Sequence, residues 1–201
     1  MAQFVFNLDG GHGGISLRLP NDYENTVLLG YDPSNWAESA EKLTPEQRQY
    51  ASGRFVITAN VFPNFSFSDN VFQNFGDGSP PTSVLNVRLW YPLSANSTEI
   101  YSWTFVPKNA PSEWKARSQT ALARSLNPGG MLDLDDFHNW NGAAEANQGP
   151  EAMALFNDYS SSAETLADAS PYPGKVYPGG LSDVNFRSFY KEWSKRMSAA
   201  S

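Results

Sequence analysis

Most of the strand-forming segments of this 201-residue chain come before most of its helix-forming segments. Alternating or β-branched and aromatic patterns predict strands over 3–7, 15–19, 54–67, 84–92 and 98–106. Helical spacing and capping residues predict helices over 34–52, 111–126, from 133 onward and over 185–199. The first of these is predicted to break near Leu43, because Thr44-Pro45-Glu46-Gln47 starts a second helix, and residues 93–97 are predicted to form a hairpin turn. The last has an apolar face formed by Phe186, Phe189, Tyr190 and Trp193. Because no strand–helix unit repeats, this order favours an α+β fold with an antiparallel sheet over a βαβ array.

Two loop-like segments leave alternatives open. The cluster GGHGG at residues 10–14 matches neither nucleotide-binding fingerprint, so it predicts a tight turn or a close backbone approach, with a phosphate cradle as the alternative. His12 within it either faces a pocket or lies on a surface loop. Residues 69–82 (DNVFQNFGDGSPPT) are rich in turn formers and predict a loop or an inserted hairpin tip. Pro63 predicts a strand edge, a bulge or a strand break.

The composition excludes several classes of function. The formal net charge is −7 without any run of lysine or arginine, which argues against nucleic acid and anionic membranes as partners. No apolar run reaches the length of a membrane span, and the first residues lack the pattern of a signal peptide. The chain has no cysteine, which excludes a disulfide, a thiol nucleophile or an iron–sulfur cluster held by this chain, and fits a cytoplasmic location.

The segment LDLDD at residues 132–136 is the sharpest local feature. Its acids either stabilise the first turn of a helix or supply a carboxylate to a metal. An iron site of two histidines and one carboxylate would need both histidines of the chain, His12 and His138. His138 lies two residues after Asp136, about 200° around a helix, whereas Asp135 and His138 could share a face. This geometry predicts that the chain does not supply a whole metal site alone.

Several stretches, in order, resemble the catalytic domain of the large (α) subunit of Rieske-type aromatic-ring-hydroxylating dioxygenases. They span nearly the whole chain: 61–66 (VFPNFS), 87–92 (VRLWYP), 99–103 (EIYSW), 124–136 (RSLNPGGMLDLDD) with Asn139 and Trp140, 177–179 (YPG) and 187–193 (RSFYKEW). The loop over 69–82 is longer than is usual in the family.

The resemblance implies a helix-grip (START/Bet v 1-like) fold, in which a curved antiparallel sheet wraps around a helix with an apolar pocket between them. It maps the aspartate that holds the family's mononuclear Fe(II) onto Asp136, and it does not map His12 onto an iron ligand. It also places Val56, Thr58, Leu126 and Leu132 at the substrate pocket. Their size here implies an altered or enlarged pocket.

The chain departs from the family in what it lacks. Nothing in residues 1–201 corresponds to the N-terminal Rieske [2Fe-2S] domain or to the segment with the two iron-binding histidines, so the whole chain is expected to be one catalytic-domain portion, incomplete at its N-terminal end. Such an incomplete fold should leave an exposed apolar patch or strand edge.

The resemblance implies a role in aromatic hydrocarbon catabolism. The complete oxygenase would hydroxylate or cis-dihydroxylate an aromatic ring with O2 and electrons from a Rieske cluster. Its partners would be an N-terminal Rieske portion or chain, ferredoxin and reductase donors, and an α3 or α3β3 assembly. The isolated chain is expected to be inactive. The alternatives are a metal-free module that binds an apolar or aromatic ligand, and an inactive truncated remnant.

Overall fold

A computed structural model describes residues 2–19, 29–72, 78–161, 174–179 and 182–199. Within these ranges the strands are β1 Ala2–Leu8, β2 His12–Arg18, β3 Arg54–Val61, β4 Phe65–Phe72, β5 Thr82–Ser94, β6 Ser97–Phe105 and β7 Lys175–Pro178. The helices are α1 Pro33–Glu41, α2 Pro45–Ala51, α3 Ser112–Ser125, α4 Asp133–Ala146, α5 Pro150–Met153 and α6 Val184–Ala199. The strands form one antiparallel sheet in the order β6-β5-β4-β3-β2-β1-β7. The α+β fold with an antiparallel sheet, predicted from the order of segments, is confirmed.

The glycine cluster forms the turn of the β1–β2 hairpin and the start of β2. Gly10 and Gly11 have φ values of +83° and +80°, which side chains rarely adopt. His12 accepts a hydrogen bond on Nδ1 from the backbone N–H of Phe62, 2.9 Å away, and so ties this turn to the β3–β4 turn. The structure therefore favours the turn and close-approach interpretation of residues 10–14.

The boundaries of the middle strands differ from the sequence prediction in two places. Pro63 lies in the turn between β3 and β4, so the predicted segment 54–67 breaks into two strands there. The predicted start of the loop or hairpin tip at Asp69 is wrong, because β4 continues to Phe72 and pairs there with Thr82 of the antiparallel strand β5. Asp69 stays in the strand because its carboxylate has partners there, Arg54 and Ser83. The part of the predicted loop over 73–77 lies outside the described residues.

Helices α4 and α6 pack on the face of the sheet that we call the inner face. One row of paired residues crosses it from β5 to β1: Arg88, Ser66, Asn60, Gly13 and Asn7. At the β5 end Arg88 forms an ion pair with Asp133 of α4, and at the β1 end Asn7 accepts a hydrogen bond from Ser188 of α6. The inner face is thus covered by α4 at one side and by α6 at the other.

The outer face carries an exposed apolar patch on strands β3 to β6. Its residues at alternating positions are exposed to between 36% and 55%: Val61, Phe65, Tyr91, Tyr101, Trp103 and Phe105. Tyr101 and Trp103 stack with ring centroids 6.1 Å apart. Monomeric proteins rarely expose so continuous an apolar surface. The patch expected of an incomplete fold is present here.

The terminal helix α6 turns a different side to the sheet than its apolar spacing predicts. Phe189 packs on Phe62 at 5.0 Å between ring centroids, and the amide of Asn185 donates to the carbonyl of Gly14. The other aromatic residues of the predicted apolar face, Phe186, Tyr190 and Trp193, are about half exposed. Polar side chains face the sheet here because the glycines of β2 bring exposed backbone close to the helix.

No helix in the described part of the chain is long and apolar enough to cross a membrane.

Candidate active site

Helix α4 is anchored to the sheet through its first residue. Asp133 is 2% exposed, and one of its carboxylate oxygens lies 2.5 Å from a guanidinium nitrogen of Arg88 on β5. The second oxygen of Asp133 and Nε of Arg88 are buried without a hydrogen-bond partner among the described residues. About two turns further on, the Trp140 ring meets the Trp90 ring at 5.5 Å. Together these two contacts define which side of α4 faces the inner face.

The two neighbouring aspartates of α4 point in different directions. At 100° per residue, Asp136 lies about 60° around the helix from Asp133 and about 40° from Trp140. Asp135 lies about 160° from Asp133, on the opposite side. Both side chains are exposed. Asp136 therefore borders the sheet-facing side of the helix, and Asp135 points away from it.

Neither histidine joins Asp136. His138 lies about 140° from Asp133 around the helix and is exposed, while His12 is bonded to Phe62 in the hairpin turns. Among the described residues, no three histidines, cysteines or acids come together in a group that could hold a metal. The described residues offer one well-placed carboxylate and therefore do not fit a complete site of two histidines and one carboxylate.

The four predicted pocket residues form two pairs in two places. Val56 and Thr58 lie on the inner face of β3, the central strand of the sheet. Leu126 and Leu132 flank the α3–α4 connection, which is closed by a hydrogen bond from the Leu132 N–H to the carbonyl of Ser125. Leu126 is half-buried and Leu132 is exposed.

Two surface grooves of the described chain lie away from these residues. One lies beside α3 and is lined by Phe72, Thr82, Ala121 and the ion-paired Arg117 and Glu113. The other lies between Tyr31 and Lys108. Neither contains Asp136 or Thr58. The candidate site lies outside both grooves, on the part of the inner face where Thr58 is exposed.

Sequence reasoning missed the role of Arg88 and Asp133, although both lie within the stretches that carried the resemblance. A signal was present: Arg88 is the only charged residue of the apolar run over 84–92, and a buried charge needs a partner. The sequence does not say which acid that partner is, because Arg88 and Asp133 are 45 residues apart.

A second buried polar cluster lies on the outer face. Asp69 accepts hydrogen bonds from Ser83, from Arg54 at 2.9 Å and from the Tyr31 hydroxyl at 3.3 Å. Burial raises the pKa of the Asp69 carboxyl, against the opposing effect of Arg54. Burial, with the nearby Asp69 charge, also raises the pKa of Tyr31 to about 12. The Tyr31 ring stacks on Trp114 of α3 at 5.4 Å, so the cluster ties this helix to the sheet.

The raised pKa of Tyr31 predicts a loss of stability in alkali. The unfolded chain releases this proton near pH 10 and the folded chain near 12, so the folded state binds more protons between these values. The free energy of unfolding should therefore fall as the pH rises from 10 towards 12, by on the order of 2 kcal/mol. Urea denaturation at pH 9 to 11.5 measures it. Tyr31→Phe should reduce the fall of the unfolding free energy with pH, whereas Tyr91→Phe, at an exposed position, should not. An equal dependence on pH in both variants would contradict the assignment of this effect to Tyr31.

Comparisons with known proteins place this geometry in context. No family model matches the chain. The chlorobenzene dioxygenase α subunit of Cupriavidus sp. (strain PS12) is 30% identical over 197 residues, which are 95% of this chain and 40% of that protein. The naphthalene 1,2-dioxygenase from Rhodococcus sp., solved with indole bound, superposes with a TM-score of 0.90 at 27% identity, over 99% of this chain and 46% of that one. This chain is a homologue of Rieske-type dioxygenase α subunits.

One further relative of this chain is named for a reaction other than dioxygenation. The N,N-dimethyl phenylurea N-demethylase α subunit of Sphingobium sp. (strain YBL2) is 26% identical over 213 residues, which are 96% of this chain and 43% of that protein. In all of these comparisons the chain spans less than half the length of its relative. The comparisons confirm the family resemblance and the helix-grip fold.

Proposed function

We propose that this chain is the catalytic-domain portion of a non-haem iron oxygenase that hydroxylates or cis-dihydroxylates an aromatic ring with O2. The observation that carries the proposal is the superposition of 99% of the chain on naphthalene 1,2-dioxygenase at a TM-score of 0.90. The electrons would come from a Rieske [2Fe-2S] cluster outside this chain, since the chain contains no cysteine. On this proposal the chain is inactive until it is joined by the portion of its relatives that it does not span.

Asp136 is the proposed iron ligand of this chain. Its position supports this assignment, because it borders the side of α4 that Asp133 and Trp140 hold against the sheet, whereas Asp135 points outward. The two histidine ligands would come from the part of the relatives' length that the chain does not span. With those histidines, Asp136 would hold Fe(II), and the iron would supply the chemistry that activates O2.

The chain's own residues would orient the ring and exclude water. Val56 and Thr58 on β3 and Leu126 and Leu132 beside α4 are the proposed substrate contacts. The exposed outer face suits assembly with further subunits of the kind expected from the family, an α3 or α3β3 oligomer supplied by ferredoxin and reductase. A cytoplasmic location remains a prediction from the sequence.

The proposal is tested by restoring the missing portion. The chain is fused to the N-terminal portion of the chlorobenzene dioxygenase α subunit and produced with that enzyme's partners. Naphthalene or 1-naphthol is supplied with ¹⁸O2, and labelled products of each are measured by mass spectrometry. We expect label in the fused protein and none in the isolated chain supplied with Fe(II) and a reductant. Product from the isolated chain, or none from a folded fused protein that retains its Rieske cluster, would contradict the proposal.

A further inference from the structure

The middle of the inner face forms an open trough between α4 and α6. One row of paired residues shows it: Asn86, Ser68, Thr58, Ile15 and Val5, from β5 to β1. Asn86 and Val5, towards the two ends of this row, are each 2% exposed. Thr58, on the central strand between them, is exposed. A central-strand residue is exposed only where little packs over its face, so among the described residues the middle of this row, at Thr58, is left open.

The floor of the trough carries two hydroxyls without partners. Thr58 and Ser68 are directly opposite each other on β3 and β4, about 5 Å apart at Cβ. Neither side chain forms a hydrogen bond with the described part of the chain. The neighbouring polar pair is already engaged, because the amide of Asn60 donates to Gly11 and the hydroxyl of Ser66 accepts from the indole of Trp90.

These two hydroxyls constrain what binds over them. A plain hydrocarbon ring would strip water from both and return no hydrogen bond, which weakens binding. A ring that carries a hydroxyl, carbonyl or amide group would replace the lost water on one or both. Sites built with polar groups discriminate strongly in this way against ligands that lack the matching group.

The charges around the trough argue against an anionic substituent. Between β2 and β5, Arg88 is the cation that the described residues place on the inner face, and it is paired with Asp133. The nearby helix α4 adds the exposed carboxylate of Asp136, whereas Asp135 points away from the sheet. On the β5 and α4 side of the trough, a carboxylate or sulfonate on the ring would therefore meet an already paired cation and the exposed carboxylate of Asp136.

We propose that the aromatic substrate of this chain bears a neutral hydrogen-bonding substituent, which Thr58 and Ser68 bind on the floor of the trough. The inference rests on the proposed function and narrows it to one class of arene. Ser68 is added here to the proposed substrate contacts, with Thr58 as its cross-strand partner.

Binding to the full 201-residue chain tests the inference without requiring turnover. The probes have one ring system and three substituents: 1-naphthol, 1-methylnaphthalene and 1-naphthoate. Binding is followed by amide NMR shifts, which also locate the ligand on β3 and β4. We expect 1-naphthol to bind about tenfold more tightly than 1-methylnaphthalene, and 1-naphthoate to bind most weakly.

Matched variants assign the effect to the two hydroxyls. Thr58→Val and Ser68→Ala should each weaken 1-naphthol binding by about three- to tenfold and leave 1-methylnaphthalene unchanged. Thr98→Val, at an exposed position on the edge strand β6, should change neither. Circular dichroism and the urea midpoint confirm that each variant is folded.

Three results would overturn the inference: equal affinity for 1-naphthol and 1-methylnaphthalene, unchanged 1-naphthol binding in both trough variants, or no binding of any probe at millimolar concentration. None of these bears on the oxygen incorporation by the fused protein, so the failure of this inference is distinguishable from failure of the proposed function. Loss of ¹⁸O incorporation with selective naphthol binding retained would instead favour a binding module.

Discussion

Asp133→Ala should lower the free energy of unfolding by about 3–5 kcal/mol, because it leaves the Arg88 guanidinium buried without its counterion. The side chains of Asp133 and Arg88 are only 3% and 12% exposed. Urea denaturation measures the change. Glu113→Ala is the matched control, since it removes the acid of an ion pair whose glutamate side chain is 85% exposed. That variant should cost less than about 1 kcal/mol.

A double variant separates the ion pair from the packing of α4. Arg88→Met with Asp133→Leu removes both charges and keeps similar volume, so it should recover most of the stability lost in Asp133→Ala. If Asp133→Ala and Glu113→Ala cost the same, the buried pair does not anchor α4. The placement of Asp136 beside the inner face would then lose its main structural support.

Gly14→Ala should destabilise the chain by about 3 kcal/mol or more, the upper range for overpacking a core. A Cβ at Gly14 would lie 2.5 Å from the carbonyl oxygen of Thr58 and 2.6 Å from Cβ of Ala59. These atoms belong to the neighbouring strand β3, so β2 and β3 would have to separate beside the trough.

Gly142→Ala provides the control for the Gly14 substitution. Gly142 lies in α4, and nothing is within 4 Å of the position its Cβ would take. Because alanine has the higher helix propensity, this variant should gain about 0.5–1 kcal/mol. The two substitutions should therefore shift the thermal midpoint in opposite directions. A Gly14→Ala protein as stable as the unaltered chain would contradict the close packing of β2 on β3.

Local chemistry predicted much of this fold. The Thr44-Pro45-Glu46-Gln47 segment predicted a helix start, and the structure has both hydrogen bonds of the capping box. The break between α1 and α2, the β5–β6 hairpin and the helix beginning at Asp133 also match. Each of these is decided by residues close together in sequence, where propensity and capping dominate.

The features that sequence reasoning missed depend on distant contacts. The strand β7 has only four residues and ends in proline, so its own sequence predicts a strand weakly. It forms because its backbone pairs with β1 at the edge of the sheet. The sheet-facing side of α6 is set by the glycines of β2 and not by its own apolar spacing. For the candidate site, the sequence indicated Asp136 through resemblance, but the contact that orients its helix, Arg88 with Asp133, joins two distant elements.

Iron content tests the central claim most directly. In the fused protein with an intact Rieske cluster, the account predicts about three iron atoms per chain, two in the cluster and one mononuclear. Asp136→Asn should retain the cluster and lose the mononuclear iron, whereas the matched Asp135→Asn should keep about three. Full mononuclear iron in Asp136→Asn, or its loss in Asp135→Asn alone, would contradict the assignment of Asp136 as the ligand that this chain contributes.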